Sequence, residues 1–521
     1  MYVDQGSIST FLSKEVRNTA LIKDQNEEEL INWLMEEYPD FRMKTLPYEH
    51  QVRGLVAALR STQLLLLFGP RLGKTKLSLD WLSALDSKGL LKKALVIVPR
   101  DIVMDDWISQ VSTHSDLSVV GGFGPSREAR YASLASPEAA RAKIHVLPYS
   151  GIQSMFSTKV KHPEKRGKKM LIVDKKAILA FRKQYNAIII DEIHQAKDRD
   201  TLRFSILTYL CEWTRYRLGL TGTLVGRDPF NAWGSYFLID KGETFSTNYY
   251  FYRAAFGRTV YSRFTKSGKE WVFDKNKLDI WSRLLANRGL SYKTEECLDM
   301  PKVPRSIQKL SMTPQQEQAY AHLIKQHAAS IESPEAEPVR NIYVRLREIA
   351  AGYIKEDEEM QVLDSCKLEW LEDFCEELSP DKFVIIYHYY TGAGKQVQEF
   401  LKKRKLTFKW LYGEINGEEQ RKIVKEFQAG KFQFLLANTR CADTGLDLQI
   451  VDHIIYYESP ESPIMRYQSE MRGMSSIRTR PLFIDDLVCC PIDKQILDYH
   501  KEGKSFMMAV NKNPKLLFEK S

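Results

Sequence analysis

Long apolar runs are missing from this 521-residue chain: stretches such as 64–68 (LLLLF) and 187–190 (AIII) fall far short of the roughly 20 residues a membrane-spanning helix needs. No crossing of a bilayer is expected, and no membrane partner. The first ten residues, MYVDQGSIST, lack the basic and apolar regions of a secretory signal, which points to a cytoplasmic protein. Cysteine is scarce. The seven present include the neighbours Cys489 and Cys490 but form no CxxC pair, so neither a zinc ribbon nor a disulfide framework is indicated. Repeats at solenoid or propeller periods and low-complexity tracts are absent too. Nor is charge of one sign in large excess: 76 basic against 67 acidic side chains give +9, compatible with a polyanionic partner without demanding one.

What is present is an ordinary globular composition, 43% apolar and 27% charged, on a chain long enough for two or three domains. Short Val/Ile/Leu-rich runs recur at 64, 94, 144, 187 and 217, each followed by turn residues and a segment of helical period. A second series begins at 382, 408, 432, 452 and 481. This predicts two α/β parallel sheets in tandem. A polar leader with one amphipathic helix (27–37; Leu30, Ile31, Leu34 and Met35 apolar) fills 1–45, and the first domain runs 46–300 with an aromatic and basic insertion over 240–300. The second domain spans 301–500, largely helical over 301–362, and 501–521 forms a tail. The acidic clusters 27–37 and 356–359 read as helices or helix ends, and the glycines of 392–394 as a turn.

The segment LLLLFGPRLGKTKLSLDWL places Gly73, Lys74 and Thr75 between an apolar strand and a helix, the context of a phosphate loop. Backbone N–H groups at a helix N-terminus attract phosphate, Lys74 adds a point charge, and the Thr75 hydroxyl suits Mg²⁺. The preceding glycine, Gly69, stands one residue closer than the strict pattern requires. Asp191 and Glu192 end a strand, where α/β ligand sites lie. There Asp191 suits Mg²⁺, and Glu192 the orientation or deprotonation of a water. An acidic pair after a strand also serves as a helix N-cap, but its succession to a phosphate loop favours ATP hydrolysis.

Together these residues resemble the superfamily 2 helicases and translocases, and within them the SWI/SNF-type ATPases. LPYEHQVRGL resembles the segment opening the first motor domain, with Gln51 in the place of the adenine-reading glutamine. ALVIVPRDIVMDDW is similar to the motif carrying Pro99 and Trp107, and IHVLPYSGI to the motif with a tyrosine after a strand. IIIDEIHQAKD resembles DEAHxxK, and RLGLTGTLVGRDPFNAW the segment that couples nucleotide to DNA through Thr221 and Thr223. LYGEINGEEQRKIVKEFQ and LLANTRCADTGLDLQIVDHIIYYE match segments of the second domain, placing Gly445, Leu446 and Asp447 at the nucleotide. RYQSEMRGMSS supplies Gln468 and Arg472 of the last motif.

The resemblance implies two RecA-like domains, ATP and Mg²⁺ in the cleft between them, and a partner DNA, duplex, forked or branched, held through its phosphates. It implies catalytic roles for Lys74, Asp191, Glu192 and Arg472. It also implies tasks in fork remodelling, branch migration, recombination or repair, with replication or recombination proteins as companions, in a minimal motor resembling those of bacteria and their phages. Two departures stand out: Arg71 occupies a loop position that is usually glycine, and Ser475 stands where a second arginine belongs, leaving Arg472, Arg478 or Arg480 for that task. An RNA helicase of the DExH kind and a DNA-binding scaffold with decayed ATPase are the alternatives. The basic stretch Lys159–Lys169 is either a DNA-touching loop or a solvated insertion, and the aromatic and basic stretch 249–273 either core or a surface on which bases stack.

Overall fold

In the computed structural model the described residues are 5–15, 17–161, 169–222, 228–261, 269–299, 303–328, 338–356, 359–415, 417–441, 448–474, 478 and 480–518. The chain divides into units of residues 1–298 and 299–521.

The first unit carries eleven described strands. They are β1 (Gln63–Phe68), β2 (Ala94–Val98), β3 (Val119–Gly121), β4 (Ile144–Pro148), β5 (Ser157–Lys161), β6 (Lys169–Val173), β7 (Ala187–Ile190), β8 (Tyr216–Leu220), β9 (Gly257–Tyr261), β10 (Lys269–Phe273) and β11 (Gly289–Tyr292). Seven form a parallel sheet in the order β11-β1-β8-β7-β2-β4-β3. β2, β4, β7 and β8 are buried along their whole length. Helices cover both faces of such a sheet, which is why β2 and β7 read as unbroken apolar runs rather than alternating ones, while β4 and β8 each bury one polar residue, His145 and Arg217. β5–β6 and β9–β10 are separate antiparallel hairpins.

The second unit carries β12 (Arg305–Lys309), β13 (Tyr353–Glu356), β14 (Glu359–Val362), β15 (Val384–His388), β16 (Phe408–Leu411), β17 (Phe434–Asn438), β18 (His453–Tyr456) and β19 (Phe483–Val488). Its parallel sheet runs β12-β19-β18-β15-β17-β16. Both units are thus α/β with parallel sheets, the fold class the two strand series predict.

Several local expectations are corrected. The helix Glu27–Glu37 forms and buries Leu30 and Leu34, but Ile31 and Met35 lie on its exposed side, because only one edge of so short a helix meets the unit. The segment 301–362 holds helices Pro314–Ala328 and Val339–Ala351 but also β12 and the β13–β14 hairpin. The acidic cluster at 356–359 is therefore a hairpin rather than a helix end, with 357–358 outside the described residues. Residues 506–517 are no tail: Phe506, Met507, Val510 and Leu517 join Tyr343, Leu346 and Ile492 in a buried cluster.

Gly392 and Gly394 lie in the helix Thr391–Lys403, not in a turn. A Cβ on Gly394 would come within 2.5 Å of the His388 ring, so glycine is what lets this helix seat against β15. His388 is buried; its Nε2 accepts the Trp410 indole N–H (2.9 Å), which leaves the proton on Nδ1 to donate to Tyr390 O (2.9 Å). Burial pushes this imidazole down from 6.5 to about 4. A depressed histidine stabilises the fold fully above pH 6.5 and loses that contribution as pH falls through the window from 6.5 to about 4. The contribution is about 3 kcal/mol. The unfolding free energy, followed against pH in urea, is expected to converge between wild type and His388→Gln as pH falls through this window. A constant difference would show that His388 does not titrate there.

Candidate phosphate and carboxylate site

β1, β8 and β7 are neighbours in the first sheet, so the segments leaving their C-terminal ends emerge side by side. From β1 the chain turns through residues 69–73 into the helix Lys74–Ser87, which buries Leu77, Trp81, Leu82 and Leu85. Two left-handed residues shape the turn, Arg71 (φ +63°) and Gly73 (φ +67°). Arg71 adopts the positive φ despite its side chain, at a cost of about 1–2 kcal/mol. At Gly73 a Cβ would fall 2.1 Å from Gln51 Nε2, so only glycine fits.

The loop is braced from three sides. Gln51 is buried: its Nε2 donates to Leu72 O (3.2 Å) and its Oε1 accepts the Tyr48 N–H (3.0 Å). His50 Nε2 lies 3.0 Å from the same Leu72 carbonyl. On the other side Thr294 Oγ1 donates to Pro70 O (2.8 Å), and the same threonine would meet any Cβ at Gly69. Lys74 Nζ donates to Phe68 O (2.9 Å) and Gly69 O (3.1 Å), which holds the ammonium over the loop at a helix N-terminus. Thr75 follows as the second residue of that helix, partly buried.

Asp191 leaves β7. Its Oδ2 accepts the Trp107 indole N–H (3.0 Å) and its Oδ1 the Glu192 backbone N–H (2.9 Å). Burial, then the adjacent Glu192 carboxylate, pushes the Asp191 carboxyl up; Trp107 and the Lys74 ammonium oppose this. Glu192 sits in the left-handed region (φ +46°), strain of the kind that clusters at functional positions. Tyr149 holds that backbone by donating its hydroxyl to Asp191 O (3.0 Å). His194 Nδ1 lies 3.1 Å from Glu192 Oε2 and 2.9 Å from the buried Thr221 Oγ1, which joins β8 to the acidic segment. Two adjacent carboxylates, one of them raised by burial and its neighbour, with a threonine hydroxyl at a helix start, form an oxygen donor set that suits Mg²⁺.

In the second unit Gln468 lies in the helix Pro463–Met471, and Arg472 follows it directly, its carbonyl accepting the Leu448 N–H (3.0 Å). Arg466, six residues before Arg472, is committed to a buried network. Its Nε donates to Glu470 (2.6 Å) and its Nη2 to Asp486 (2.8 Å), while Arg305 grips Glu470 through two bonds of 2.7 and 2.6 Å. Arg478 and Arg480 are engaged as well. Arg478 donates to the carbonyls of Arg480, Gln449, Val451, Gly473 and Pro481, and Arg480 Nε pairs with buried Asp452 (3.0 Å).

The structure therefore brings Gln51, Gly69, Gly73, Lys74, Thr75, Asp191 and Glu192 together within the first unit. Gly445, Leu446, Asp447, Thr223 and Ser475 lie outside the described residues. Sequence reasoning gave no role to His50 or Thr294. Nothing around them in the chain marks them, and Thr294 meets the loop only through the pairing of β11 with β1.

Residues 61–226 match the family described as "Type III restriction enzyme, res subunit", and residues 366–475 match "Helicase conserved C-terminal domain". The chain is 24% identical over 86% of its length to the CHD3-type chromatin-remodeling factor PICKLE of Arabidopsis thaliana, covering 33% of that protein. It is 21% identical over 89% of its length to the putative ATP-dependent helicase/translocase YwqA of Bacillus subtilis, covering 48% of it. The chain thus spans less than half the length of either relative. The Sulfolobus solfataricus SWI2/SNF2 ATPase core, solved in complex with dsDNA, aligns with 92% of this chain and 96% of its own at 17% identity and a TM-score of 0.40. With its phosphate loop, its DEIH carboxylates and both matched domains in order, the chain belongs to the superfamily 2 helicases and translocases, as a SWI/SNF-type ATPase.

Proposed function

We propose that this protein is a DNA-dependent ATPase that moves on duplex or branched DNA. The observation that carries the reading is the juxtaposition, at neighbouring strand ends of one sheet, of a braced phosphate loop with the Asp191–Glu192 pair. Lys74 binds the β/γ-phosphates, and Glu192 takes the proton of the water that attacks the γ-phosphorus, giving ADP and phosphate. Thr75 and Asp191 would hold Mg²⁺, which neutralises charge on the phosphate oxygens. Gln468, Gly445 and Asp447 serve the nucleotide from the second unit, where Arg472 is the arginine for the transferring phosphoryl. Gln51 acts here by fixing the loop through Leu72, whatever it adds at the base.

The names of the relatives, an ATP-dependent helicase/translocase and a chromatin-remodeling factor, support DNA as the partner. Forked and four-way DNA are the structures on which remodelling, branch migration and recombinational repair would act. Steady-state ATP turnover, measured without nucleic acid and then with single-stranded, duplex, forked or four-way DNA and structured RNA, tests this. Stimulation is expected from duplex or branched DNA. Stimulation by RNA alone would replace the reading with an RNA helicase, and absence of turnover with all of them would replace it with a scaffold.

A further inference from the structure

The described residues of 149–182 and of 249–282 share one arrangement, offset by 100 positions. Each opens on a tyrosine, Tyr149 or Tyr249, that starts a helix (Tyr149–Met155, Tyr249–Phe256). Each helix runs past a fully buried phenylalanine, Phe156 or Phe256, into a hairpin of identical register: Ser157 faces Val173 as Gly257 faces Phe273, and Lys161 faces Lys169 as Tyr261 faces Lys269. Each hairpin ends in an aspartate whose N–H donates to that phenylalanine's carbonyl (2.8 Å in both) and whose carboxylate caps the next helical turn, Asp174 on Ala177 N and Asp274 on Asn276 N. A buried aromatic then seats that turn's helix, Phe181 or Trp281. β5 and β9 share the same pattern of exposure, residue for residue.

The two ribbons also share a surface chemistry. Met170, Leu171 and Ile172 are consecutive in β6 and all exposed, so both faces of that ribbon are open. Around them stand Lys159, Lys161 and Lys169, with no acidic residue in either strand. The second ribbon exposes Tyr261 (78%) and Trp271 (39%) beside Arg258 and Lys269, with one acidic residue, Glu270, in its strands. An exposed apolar patch marks an interaction surface. Cations combined with apolar or aromatic side chains on a two-stranded ribbon suit a polyanion with flat apolar bases: the charges meet phosphates while wedges or rings meet bases.

Both modules are tied to the two ends of the acidic segment 191–199. Tyr149 donates to Asp191 O (3.0 Å), while Arg199 lies over the Tyr249 and Tyr250 rings (4.3 and 4.5 Å) and donates to the Tyr250 hydroxyl (2.9 Å). We infer that the two ribbons are a duplicated pair of nucleic-acid-binding prongs, and that their leading tyrosines pass occupancy to the Asp191–Glu192 segment. This rests on the reading that the chain acts on nucleic acid.

The test compares the intact protein with Lys159→Ser/Lys161→Ser/Lys169→Ser, with Tyr261→Ala/Trp271→Ala, and with Tyr149→Phe. The affinities for fluorescent duplex and single-stranded DNA are measured by anisotropy at several salt concentrations, together with DNA-free and DNA-stimulated turnover. The lysine variant is expected to lower the salt slope by about 1 per lysine. The aromatic variant should weaken single-strand binding by about 5- to 150-fold per ring. Both should keep DNA-free turnover. Tyr149→Phe should keep DNA affinity, drop in thermal midpoint as one buried hydrogen bond is lost, and lose about 5-fold of the ratio of DNA-stimulated to DNA-free turnover. Unchanged DNA affinity in either ribbon variant overturns the paired prongs while leaving the motor reading intact, and would leave those surfaces to a protein partner. Unchanged stimulation in Tyr149→Phe overturns the tie. A wild-type protein that binds no nucleic acid sinks both readings, and one that binds DNA but never hydrolyses ATP sinks the motor reading and the tie while leaving the ribbons to be judged by affinity alone.

Discussion

Replacing Arg472 with alanine is expected to lower ATP turnover by about 10³- to 10⁵-fold, the range for an arginine that stabilises a transferring phosphoryl group. Replacing Arg478 is expected to unfold the segment around it instead. The difference follows from what the Arg478 guanidinium is doing. Arg478 has five N–H donors, and its bonds run to five backbone carbonyls: Nε to Arg480 O (2.6 Å), Nη1 to Gln449 O and Gly473 O (2.9 Å each), Nη2 to Val451 O and to Pro481 O (3.0 Å). To act on a nucleotide it would have to abandon them, at several kcal/mol. Arg480 is likewise held by Asp452 and by Asp381 O. Arg472 is partly exposed at the end of the Pro463–Met471 helix, where its carbonyl accepts the Leu448 N–H. Steady-state kcat and thermal midpoint separate the two. Arg472→Ala should lose kcat, while Arg478→Ala should show the larger drop in midpoint. Wild-type turnover in Arg472→Ala would move the role elsewhere.

The parts of this architecture that were readable in the sequence are those governed by local rules. Ten strands announced themselves because a parallel strand covered on both faces is mostly apolar, as in β7 (AIII) and β15 (VIIYH). The phosphate loop and the DEIH pair were readable because their chemistry fixes residue types at short spacing. What escaped depends on contacts between distant positions. β12, with the sequence RSIQK and four exposed positions of five, has an edge strand's composition and is a strand only because it pairs with β19. Gly394 looked like a turn residue because its reason, the ring of His388, lies in the preceding strand. The duplicated module is invisible at the level of residue identity, since its two copies share little beyond Tyr149/Tyr249, Phe156/Phe256, Val160/Val260, Lys169/Lys269, Asp174/Asp274 and Lys175/Lys275. Its register and capping bonds carry the likeness.

Glu192→Gln is expected to cut turnover by about 10²- to 10⁴-fold, the contribution of a positioned general base, while leaving the fold intact. The amide has the carboxylate's shape but cannot take a proton from water. The backbone that presents it is held independently: Tyr149 on Asp191 O, and the Asp191 N–H on Ile97 O (2.8 Å). The left-handed conformation at 192 therefore persists, with its cost of about 1–3 kcal/mol. Because Glu192 is among the groups that raise the Asp191 carboxyl, removing its charge also relieves a repulsion inside a buried site. The thermal midpoint of Glu192→Gln should accordingly equal or exceed that of wild type, and nucleotide should still bind. Lys74→Ala provides the contrast. It removes the ammonium that caps Phe68 O and Gly69 O and that opposes the rise at Asp191, so nucleotide affinity should fall together with turnover. A Gln variant that hydrolyses ATP within tenfold of wild type would remove Glu192 as the base, and a Lys74→Ala protein that binds nucleotide as tightly as wild type would remove this loop as the phosphate site.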